Sequence, residues 1–413
     1  MKPRSVLLIS YYFPPLGMAG VQRPLNLAKY LFRLGWKVYV LTVKPIAYWQ
    51  SDPTLLSDFP PGIPVFRTGS ADPARLAYLL GLRKRRPSDF ASRLSPKSVW
   101  DSKLGFVPFA YFKASRLVEK FSIDVVWTTS PPPSIHLVGL RLKQKRSICW
   151  VADFRDPWEV EAPEPNSSLW QQRQEKLKRM LAFADGATAV NDSLKNYLER
   201  FAGGRNVVTI FNGYDSEIHP PATPSKSKVF TLAYGGTLNT AHNPYLFLKA
   251  LARWKKEAQR SFRLLLVGKV LGLPLTHWLA ELGLAENTEV TGYLPHQEAL
   301  RQLSEANLFL LFLPPEEKYR LNLPAKIFEY IGLGRPVLAV APAQGAVADF
   351  LASFPVGCLC DTEEAIVESL QLYHRLWEAQ GFLRIPEAER ARFGWDKEAQ
   401  KLSALLESKL EKV

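Results

Sequence analysis

The stretch that decides the fold is VLLISYYFPPLGMAGVQRPLNLAKYLFRLGWKVYVLT, residues 6–42. It opens with Val6–Ser10, a short apolar run of the kind that is buried in a parallel sheet. A loop rich in proline and glycine follows, and from Arg23 to Leu34 the apolar residues recur as on one face of a helix. Gly35 ends that helix, and a second apolar strand begins at Lys37. This order predicts a βαβ unit with a right-handed crossover.

The same order of strand, glycine, helix and strand recurs through the chain. At 413 residues the chain is longer than one core usually organises, so two domains are expected. Residues 219–228 contain three prolines and small polar residues, which is typical of an interdomain linker. We therefore predict an α/β protein with two Rossmann-like, doubly wound domains that face a central cleft, and a C-terminal helix that packs back on the first domain. The predicted first domain covers residues 1–218, the linker 219–228, the second domain 229–390 and the C-terminal helix 391–413.

Composition and cysteine usage exclude several classes of protein. An apolar fraction of 47% argues against disorder, and the three cysteines provide no framework of disulfides and favour a reducing compartment. The apolar run that Pro14 and Pro15 end is too short for a signal peptide, and no run of ~18 apolar residues can span a bilayer. Cys358 and Cys360 lack a matching His or Cys cluster, so no metal site is expected. We expect a cytoplasmic protein.

The positive charge lies in the first part of the chain. The net charge is +14, and residues 1–150 carry 23 lysines and arginines against 7 acidic residues. Residues 81–87 read GLRKRRP, and aromatic residues follow, among them Trp100, Phe109 and Phe112. This mixture suits an anionic membrane surface, which predicts a peripheral position on the inner face of the cell membrane. A solvated basic face over a small aromatic core is the alternative. No nucleic acid is expected as a partner, because no RNA- or DNA-binding motif is present.

The most informative chemical motif is LPAKIFEYIGLGRPVL, residues 323–338. Pro324 opens a predicted helix, Lys326 and Glu329 share one face of it, and Gly334 ends it. A helix that starts at a ligand site offers free N–H groups and a positive dipole end to a phosphate, and Lys326 adds a cation. An ordinary surface ion pair three residues apart is the structural alternative.

This segment closely resembles the nucleotide-sugar-binding helix of GT-B glycosyltransferases, specifically of glycosyltransferase family 4, whose members often read P-G-K-L-F-E-Y-L-A-x-G-K-P-V-L. The resemblance implies the GT-B fold, with Glu329 binding the ribose of the donor and Lys326 facing its diphosphate. Two positions depart from the family pattern. The first glutamate of the E-x7-E signature is replaced by Leu321, and the usual glycine by Ala325.

Three segments of the first domain extend the resemblance. Gly17 and Gly20 match the first loop of the family, where glycine permits close approach to the donor phosphate and the acceptor, and Arg23 is expected to meet an anionic group. Any tight turn between strand and helix also favours glycine.

The second of these segments, WVADFRDPW at 150–158, places Asp153, Arg155 and Asp156 at the end of a predicted strand. It resembles a subgroup associated with cell-envelope polysaccharide synthesis. Either aspartate is a candidate to accept a proton from the acceptor hydroxyl or to orient it, with Asp156 favoured, and Arg155 is placed on the acceptor or phosphate side. A buried Asp–Arg pair is the alternative for Asp153. His136, after the proline turn at 130–133, is a further acceptor-side candidate, although a lone helical histidine is more often structural.

In the second domain, the loop YGGTLN at 234–239 resembles the family's first strand and loop, so Gly236 is expected at the donor. His242 stands near the place of the expected cation, and Lys269 is the substitute that we predict.

Altogether the resemblance implies a retaining glycosyltransferase that moves a sugar from a nucleotide-sugar donor to a lipid-linked or cell-surface glycan, without a cofactor and without a metal. A non-catalytic binding or scaffold protein of the same fold is a serious alternative because of Leu321. A nucleotide-sugar 2-epimerase lacks its acid/base set here, and a nicotinamide oxidoreductase lacks the G-x-G-x-x-G spacing.

Overall fold

The computed structural model describes residues 4–17, 19–46, 51–81, 98–158, 167–217, 229–258 and 261–411. The chain forms two compact units, each built on a parallel sheet. The first unit comprises Met1–Phe211 together with Trp395–Val413, and the second comprises Asn212–Gly394. The first boundary thus falls a few residues before the predicted residue 218. The predicted linker at 219–228 and the basic residues at 82–87 lie outside the described residues.

The first unit contains a sheet of seven described strands in the order β3-β2-β1-β4-β5-β6-β7, all parallel. Its elements in chain order are β1 (Ser5–Ser10), α1 (Gln22–Arg33), β2 (Lys37–Val43), β3 (Val65–Thr68), α2 (Pro73–Leu79), α3 (Val107–Phe121), β4 (Val125–Thr129), α4 (His136–Arg146), β5 (Cys149–Phe154), α5 (Ser168–Phe183), β6 (Gly186–Ala189), α6 (Asp192–Glu199) and β7 (Val207–Thr209). The central strands β1, β4 and β5 are buried along their whole length, as continuous apolar runs in a parallel sheet require.

The second unit contains a parallel sheet of six described strands in the order β10-β9-β8-β11-β12-β13. Its elements are β8 (Phe230–Gly235), α7 (Tyr245–Ala258), β9 (Phe262–Val267), α8 (Leu275–Glu281), β10 (Thr288–Gly292), α9 (His296–Leu303), β11 (Leu308–Phe312), α10 (Lys326–Gly332), β12 (Val337–Val340), α11 (Ala346–Ser353), β13 (Gly357–Cys360), α12 (Glu363–Gln380) and α13 (Glu387–Arg390). The strand order reverses between β8 and β11, and open α/β sheets bind ligands at such a switch point.

The last helix, α14 (Trp395–Leu410), packs on α1 in the first unit, which confirms the predicted return of the C-terminal helix. The Trp36 indole donates to the Ser403 hydroxyl across 2.8 Å, and Leu402 and Leu406 are fully buried. Glu398 accepts a hydrogen bond from the Phe211 backbone N–H at 2.8 Å. The end of the chain therefore completes the core of the first unit.

A buried ion pair fixes the carboxyl ends of the central strands in the first unit. The guanidinium of Arg23 donates to both carboxylate oxygens of Asp153, at 3.0 and 2.6 Å, and both side chains are at most 2% exposed. The hydroxyls of Thr129 and Thr188 donate to the same carboxylate, each at 2.6 Å. Burial by itself raises the pKa of Asp153, but the Arg23 charge and these hydrogen bonds hold that pKa below its ordinary value.

This pair corrects two predictions from the sequence. Asp153 has no exposed surface from which to serve an acceptor hydroxyl, and the buried Asp–Arg pair is the arrangement found. Arg23 also donates to the Phe211 carbonyl at 3.0 Å, so its charge is used inside the core and not on an external anionic group. Both residues stabilise the fold of the first unit.

The substitution Asp153→Asn leaves a buried guanidinium without its carboxylate, so we expect it to lower the free energy of unfolding of the first unit by about 3–5 kcal/mol. Because the pKa of Asp153 is lowered in the folded chain, the stabilisation is complete above the ordinary carboxyl pKa of 3.8 and is lost as the pH falls below it. Urea unfolding of wild type and variant at several pH values measures both effects.

The control is Glu407→Gln, which breaks the exposed pair with Arg4 on the same unit and should cost at most about 1 kcal/mol. An Asp153→Asn protein within about 1 kcal/mol of wild type would show that the buried pair is not the main constraint on this edge.

Candidate active site

The amine of Lys326 lies at the carboxyl edge of the second sheet. Lys326 is the first residue of α10, and its Nζ donates a hydrogen bond to the hydroxyl of Tyr234 at 2.6 Å. The same Nζ lies 4.0 Å from the centroid of the Tyr234 ring, within the range of a cation–π contact. The Tyr234 hydroxyl in turn donates to the Thr237 carbonyl at 3.2 Å, so the tyrosine is a neutral partner of the lysine.

Helix α10 is held against β8 by Tyr330. Its ring stacks on Phe309 with the centroids 4.1 Å apart, and its hydroxyl accepts a hydrogen bond from the Gly235 N–H at 2.8 Å. On the other side of the helix, a Cβ on Gly332 would lie 2.6 Å from the Tyr214 side chain, so the helix can sit this close only with glycine there. These contacts fix the position from which Lys326 reaches the sheet edge.

Glycine at position 236 leaves room for the lysine. A Cβ on Gly236 would lie 2.9 Å from the Lys326 Nζ, and the residue has φ +123°, a conformation that favours glycine. The loop after β8 is also paired with the end of β9 and the loop that follows it. The Gly236 N–H donates to the Val267 carbonyl at 2.7 Å, and the Leu238 N–H donates to the Lys269 carbonyl at 2.8 Å. This pairing brings Lys269 to the same edge.

Lys269 and Tyr293 form a second cation–aromatic contact at this edge. The Lys269 Nζ lies 5.0 Å from the centroid of the Tyr293 ring, and Tyr293 is 40% exposed. Tyr293 follows β10, and Gly292 with φ +72° makes the turn at the end of that strand. The exposed ring and the amine are both accessible to a ligand.

Glu329 lies one helical turn after Lys326 and contacts His296. Its Oε1 lies 3.1 Å from the His296 Nε2, and the side chains are 28% and 23% exposed. A carboxylate in this position can accept hydrogen bonds from a ligand while one side of it is held.

Burial controls the charge of the site. Burial lowers the pKa of Lys326 to about 7, although the Glu329 charge opposes the shift. Burial, and then the Lys326 charge, lower the pKa of His242 to about 4, so this imidazole is neutral at pH 7. Among the described residues no carboxylate forms an ion pair with the Lys326 amine. The site therefore holds a poorly solvated cation that an anionic ligand would stabilise.

The predicted donor residues Gly236, Lys269, Lys326 and Glu329 thus share one edge of the second unit. The sequence placed the helix start at Pro324, whereas α10 begins at Lys326. Sequence reasoning missed Tyr234 and Tyr330 as the residues that position the lysine. The available signal was an aromatic residue at the end of an apolar strand, which is also the usual pattern of a core residue.

In the first unit, Arg155 ties together the loops at the carboxyl edge. It donates to the Gly20 carbonyl at 2.6 Å, to the Pro131 carbonyl at 3.4 Å and to the Ser130 carbonyl. Burial lowers its pKa to about 10, although Asp153 and then Asp156 oppose the shift. Arg155 is 9% exposed, so it supports the loops more than it offers a free cation to a ligand.

His136 is fully buried, which corrects its prediction as an acceptor-side residue. Its Nδ1 lies 2.8 Å from the Thr128 hydroxyl, and its ring packs on Phe154 with the centroids 4.5 Å apart. Burial lowers its pKa to about 3, so the ring is neutral at pH 7. Thr128 also accepts from the Trp150 indole at 2.9 Å, which makes His136 part of a core network.

Asp156 is the one predicted acidic residue of the 150–158 motif that the structure places at the surface. It follows β5 directly, at the carboxyl edge of the first sheet. Gly17 and Gly20, in the loop after β1, lie at the same edge and are partly exposed.

No three His, Cys, Asp or Glu side chains of the described residues form a group that could hold a metal ion. No described helix is both long enough and apolar enough to cross a bilayer.

Sequence comparison finds two family models in the chain. The model described as Glycosyltransferase Family 4 matches residues 21–218, and the model described as Glycosyl transferases group 1 matches residues 229–373. A search of curated protein sequences gives no match.

Solved structures with the same architecture include three that span essentially the whole chain. A glycosyltransferase from Rickettsia africae has a TM-score of 0.68 at 16% identity and covers 100% of both chains. A sucrose-phosphate synthase from Thermosynechococcus elongatus has a TM-score of 0.68 at 17% identity, with coverage of 99% of this chain and 100% of the other. The Anabaena protein HepE in complex with UDP has a TM-score of 0.65 at 18% identity, with coverage of 98% and 100%.

At these identities the structural likenesses establish the fold, and the two sequence models establish the kind of protein. The predicted fold class is confirmed by two Rossmann-like units with parallel sheets and by their GT-B neighbours. With a Glycosyltransferase Family 4 domain followed by a group 1 domain, the chain is a glycosyltransferase of the GT-B fold.

Proposed function

We propose that this glycosyltransferase takes a sugar from a nucleotide-sugar donor held by the second unit and transfers it, with retention of configuration, to an acceptor hydroxyl. The observation that carries the proposal is the Lys326 amine, which is half-buried against Tyr234 beside Gly236 and has no carboxylate ion pair among the described residues. A diphosphate supplies the missing negative charge. HepE, which has the same fold, has been crystallised with UDP and with UDP-glucose.

Cleavage of the bond between the sugar and the diphosphate creates negative charge on the leaving group. Lys326 and Lys269, which share the carboxyl edge, would stabilise this charge in a site that is partly shielded from water. We propose that these protein cations, and not a metal or cofactor, carry that role. Charge stabilisation that grows as the bond breaks accelerates the reaction itself.

The ribose of the donor is assigned to Glu329, which is partly exposed and lies one turn from Lys326. A carboxylate can accept from both hydroxyls of a ribose diol. The contact that the family's first glutamate makes with the sugar is missing, because Leu321 stands at that position.

We assign the acceptor to the carboxyl edge of the first unit, with Asp156 as the candidate group that orients the acceptor hydroxyl or accepts its proton. Gly17 and Gly20 permit close approach of a ligand to the loop after β1. Arg155 fixes that loop through the Gly20 carbonyl.

The proposed acceptor is a lipid-linked or cell-surface glycan of the cell envelope, reached from the inner face of the membrane. The charge of residues 1–150 favours an anionic surface. Large apolar side chains are also exposed on α2 and α3 and beside them, namely Leu79 (64%), Leu80 (71%), Phe109 (44%) and Phe112 (66%). Exposed apolar residues beside basic residues are typical of proteins that bind at a membrane surface.

Leu321 favours one alternative, a protein that binds a nucleotide sugar without turning it over. Turnover assays with a panel of nucleotide sugars decide between the two. We expect one donor to be hydrolysed or transferred by the wild type, and Glu329→Ala to lose at least about tenfold in kcat/KM. Donor binding without any turnover would support the binding protein and contradict the transferase.

A substitution of Lys326 distinguishes the effect of its charge on stability from its effect on turnover. Lys326 has a pKa of about 7 in the folded chain against 10.5 for an ordinary lysine, so the unfolded chain holds the proton more tightly and stability rises with pH between these values. Lys326→Met removes this poorly solvated charge, so we expect a melting temperature at pH 7 that is a few degrees higher and turnover lowered by about 10²–10³-fold.

Lys249→Met is the matched control, because Lys249 is 47% exposed in an ion pair on the same unit. It should leave turnover unchanged. A Lys326→Met enzyme that retains wild-type turnover would exclude the lysine from the donor site.

Flotation with vesicles tests the membrane proposal. We expect the protein to bind anionic vesicles at low salt and to be released at high salt, because the Debye length falls from about 10 Å at 0.1 M to about 3 Å at 1 M. Leu80→Ser with Phe112→Ser should weaken binding at least fivefold, roughly the effect of about 1 kcal/mol of lost apolar burial.

The control is Leu271→Ser, since Leu271 is 51% exposed on the second unit. Equal recovery on neutral and anionic vesicles at low salt would contradict the proposal, and so would equal binding by the double variant and wild type.

A further inference from the structure

We infer that His296 is a positioning residue that holds the Glu329 carboxylate for the ribose of the donor, an inference that rests on the proposed function. The contact between the His296 Nε2 and the Glu329 Oε1 at 3.1 Å joins α9 to α10, two helices that are 33 residues apart in sequence at this point. No local pattern in either helix predicts this pair.

The fold places His296 where it can reach the carboxylate. His296 is the first residue of α9 and follows Pro295, whose backbone is extended. Side chains on a helix lean toward its amino end, and the amino end of α9 follows β10 at the carboxyl edge of the sheet. The histidine therefore approaches Glu329 from a different element than the one that carries the glutamate.

The pair is also accessible to a ligand. His296 and Glu329 are 23% and 28% exposed, so neither is locked in the core as Asp153 is in the first unit. A glutamate side chain has three rotatable bonds and loses much freedom when a ligand fixes it. A hydrogen bond that is formed before the ligand binds reduces that loss, which is the general advantage of preorganisation.

A single hydrogen bond to the histidine does not by itself saturate a carboxylate. An ionised carboxylate has two oxygens and about four lone-pair sites, of which the histidine uses one at Oε1. The inference places a vicinal diol of the ligand at this same carboxylate. Loss of His296 should weaken recognition of the ribose hydroxyls and leave recognition of the diphosphate by Lys326 and Lys269 in place.

The test compares a ribonucleoside diphosphate with its 2′,3′-dideoxy counterpart by titration calorimetry. UDP, ADP and GDP are first compared on the wild type, and the tightest binder is used. We expect the wild type to prefer the ribonucleotide, and His296→Ala to reduce that preference by about fivefold or more, as expected for loss of a hydrogen bond to a charged group. Its affinity for the dideoxynucleotide should stay within about twofold of wild type.

Two further variants separate positioning from a structural role. His296→Gln keeps an N–H donor at similar reach and should restore most of the preference. The double variant His296→Ala/Glu329→Gln should lose no more preference than Glu329→Gln alone, because the histidine acts through the glutamate. Melting temperatures of all the variants confirm that each is folded.

The results that would overturn the inference are distinct from those that would overturn the proposed function. If the wild type binds a ribonucleoside diphosphate and His296→Ala keeps its preference, or loses affinity for both ligands equally, His296 does not position Glu329. If the wild type binds none of the three nucleotides, the donor proposal fails, and the assignment of His296 fails with it.

Discussion

Each sheet holds a cation at its carboxyl edge, Arg23 buried and Lys326 half-buried, and we infer that the partner of that cation determines what the edge can bind. In the first unit Arg23 is neutralised by the Asp153 carboxylate, and two threonine hydroxyls complete the shell. That charge is satisfied internally, and the pair holds strands and loops together. Among the described residues of the second unit, Lys326 contacts the hydroxyl and ring of Tyr234 and forms no carboxylate ion pair, and burial brings its pKa to about 7 although the Glu329 charge opposes the shift. A poorly compensated cation costs stability, and that cost is typical of a residue retained for binding.

The proposed function assigns a different substrate to each unit, in line with this difference. The second unit provides an edge with an amine that has no carboxylate ion pair among the described residues, a glycine that gives it room, and a partly exposed carboxylate at Glu329. These are the groups that an activated sugar with a ribose and a diphosphate needs. The first unit provides a rigid edge, in which Arg155 ties the loops together and Asp156 is exposed beyond them. A rigid scaffold with an exposed carboxylate suits an acceptor whose hydroxyl must be oriented, and catalysis by orientation depends on such rigidity.

The sequence was sufficient to predict most of the fold and the residues assigned to the donor site, because both depend on local patterns. Apolar runs identify strands such as β1, predicted at Val6–Ser10 and found at Ser5–Ser10, and β2, predicted and found to begin at Lys37. Helix α3 lies in a stretch of mixed basic and aromatic residues, whose spacing gave no clear period, and it was not predicted. A buried Asp–Arg pair was one of the two alternatives for Asp153, but Arg23 was not identified as the partner because the two residues are 130 positions apart. The contact between His296 and Glu329 was missed for the same reason.

The central claim is that the Lys326 amine is the charge that the diphosphate of the donor neutralises. The pKa of this amine can be measured directly by NMR of the labelled lysine side chain, using Lys326→Met to assign the signal. Without ligand the pKa should lie near 7, and saturation with a nucleoside diphosphate should raise it by more than about one unit, since an adjacent anion favours the charged form. A pKa near the ordinary 10.5 in the free protein, or one that does not change when the nucleotide binds, would contradict the account.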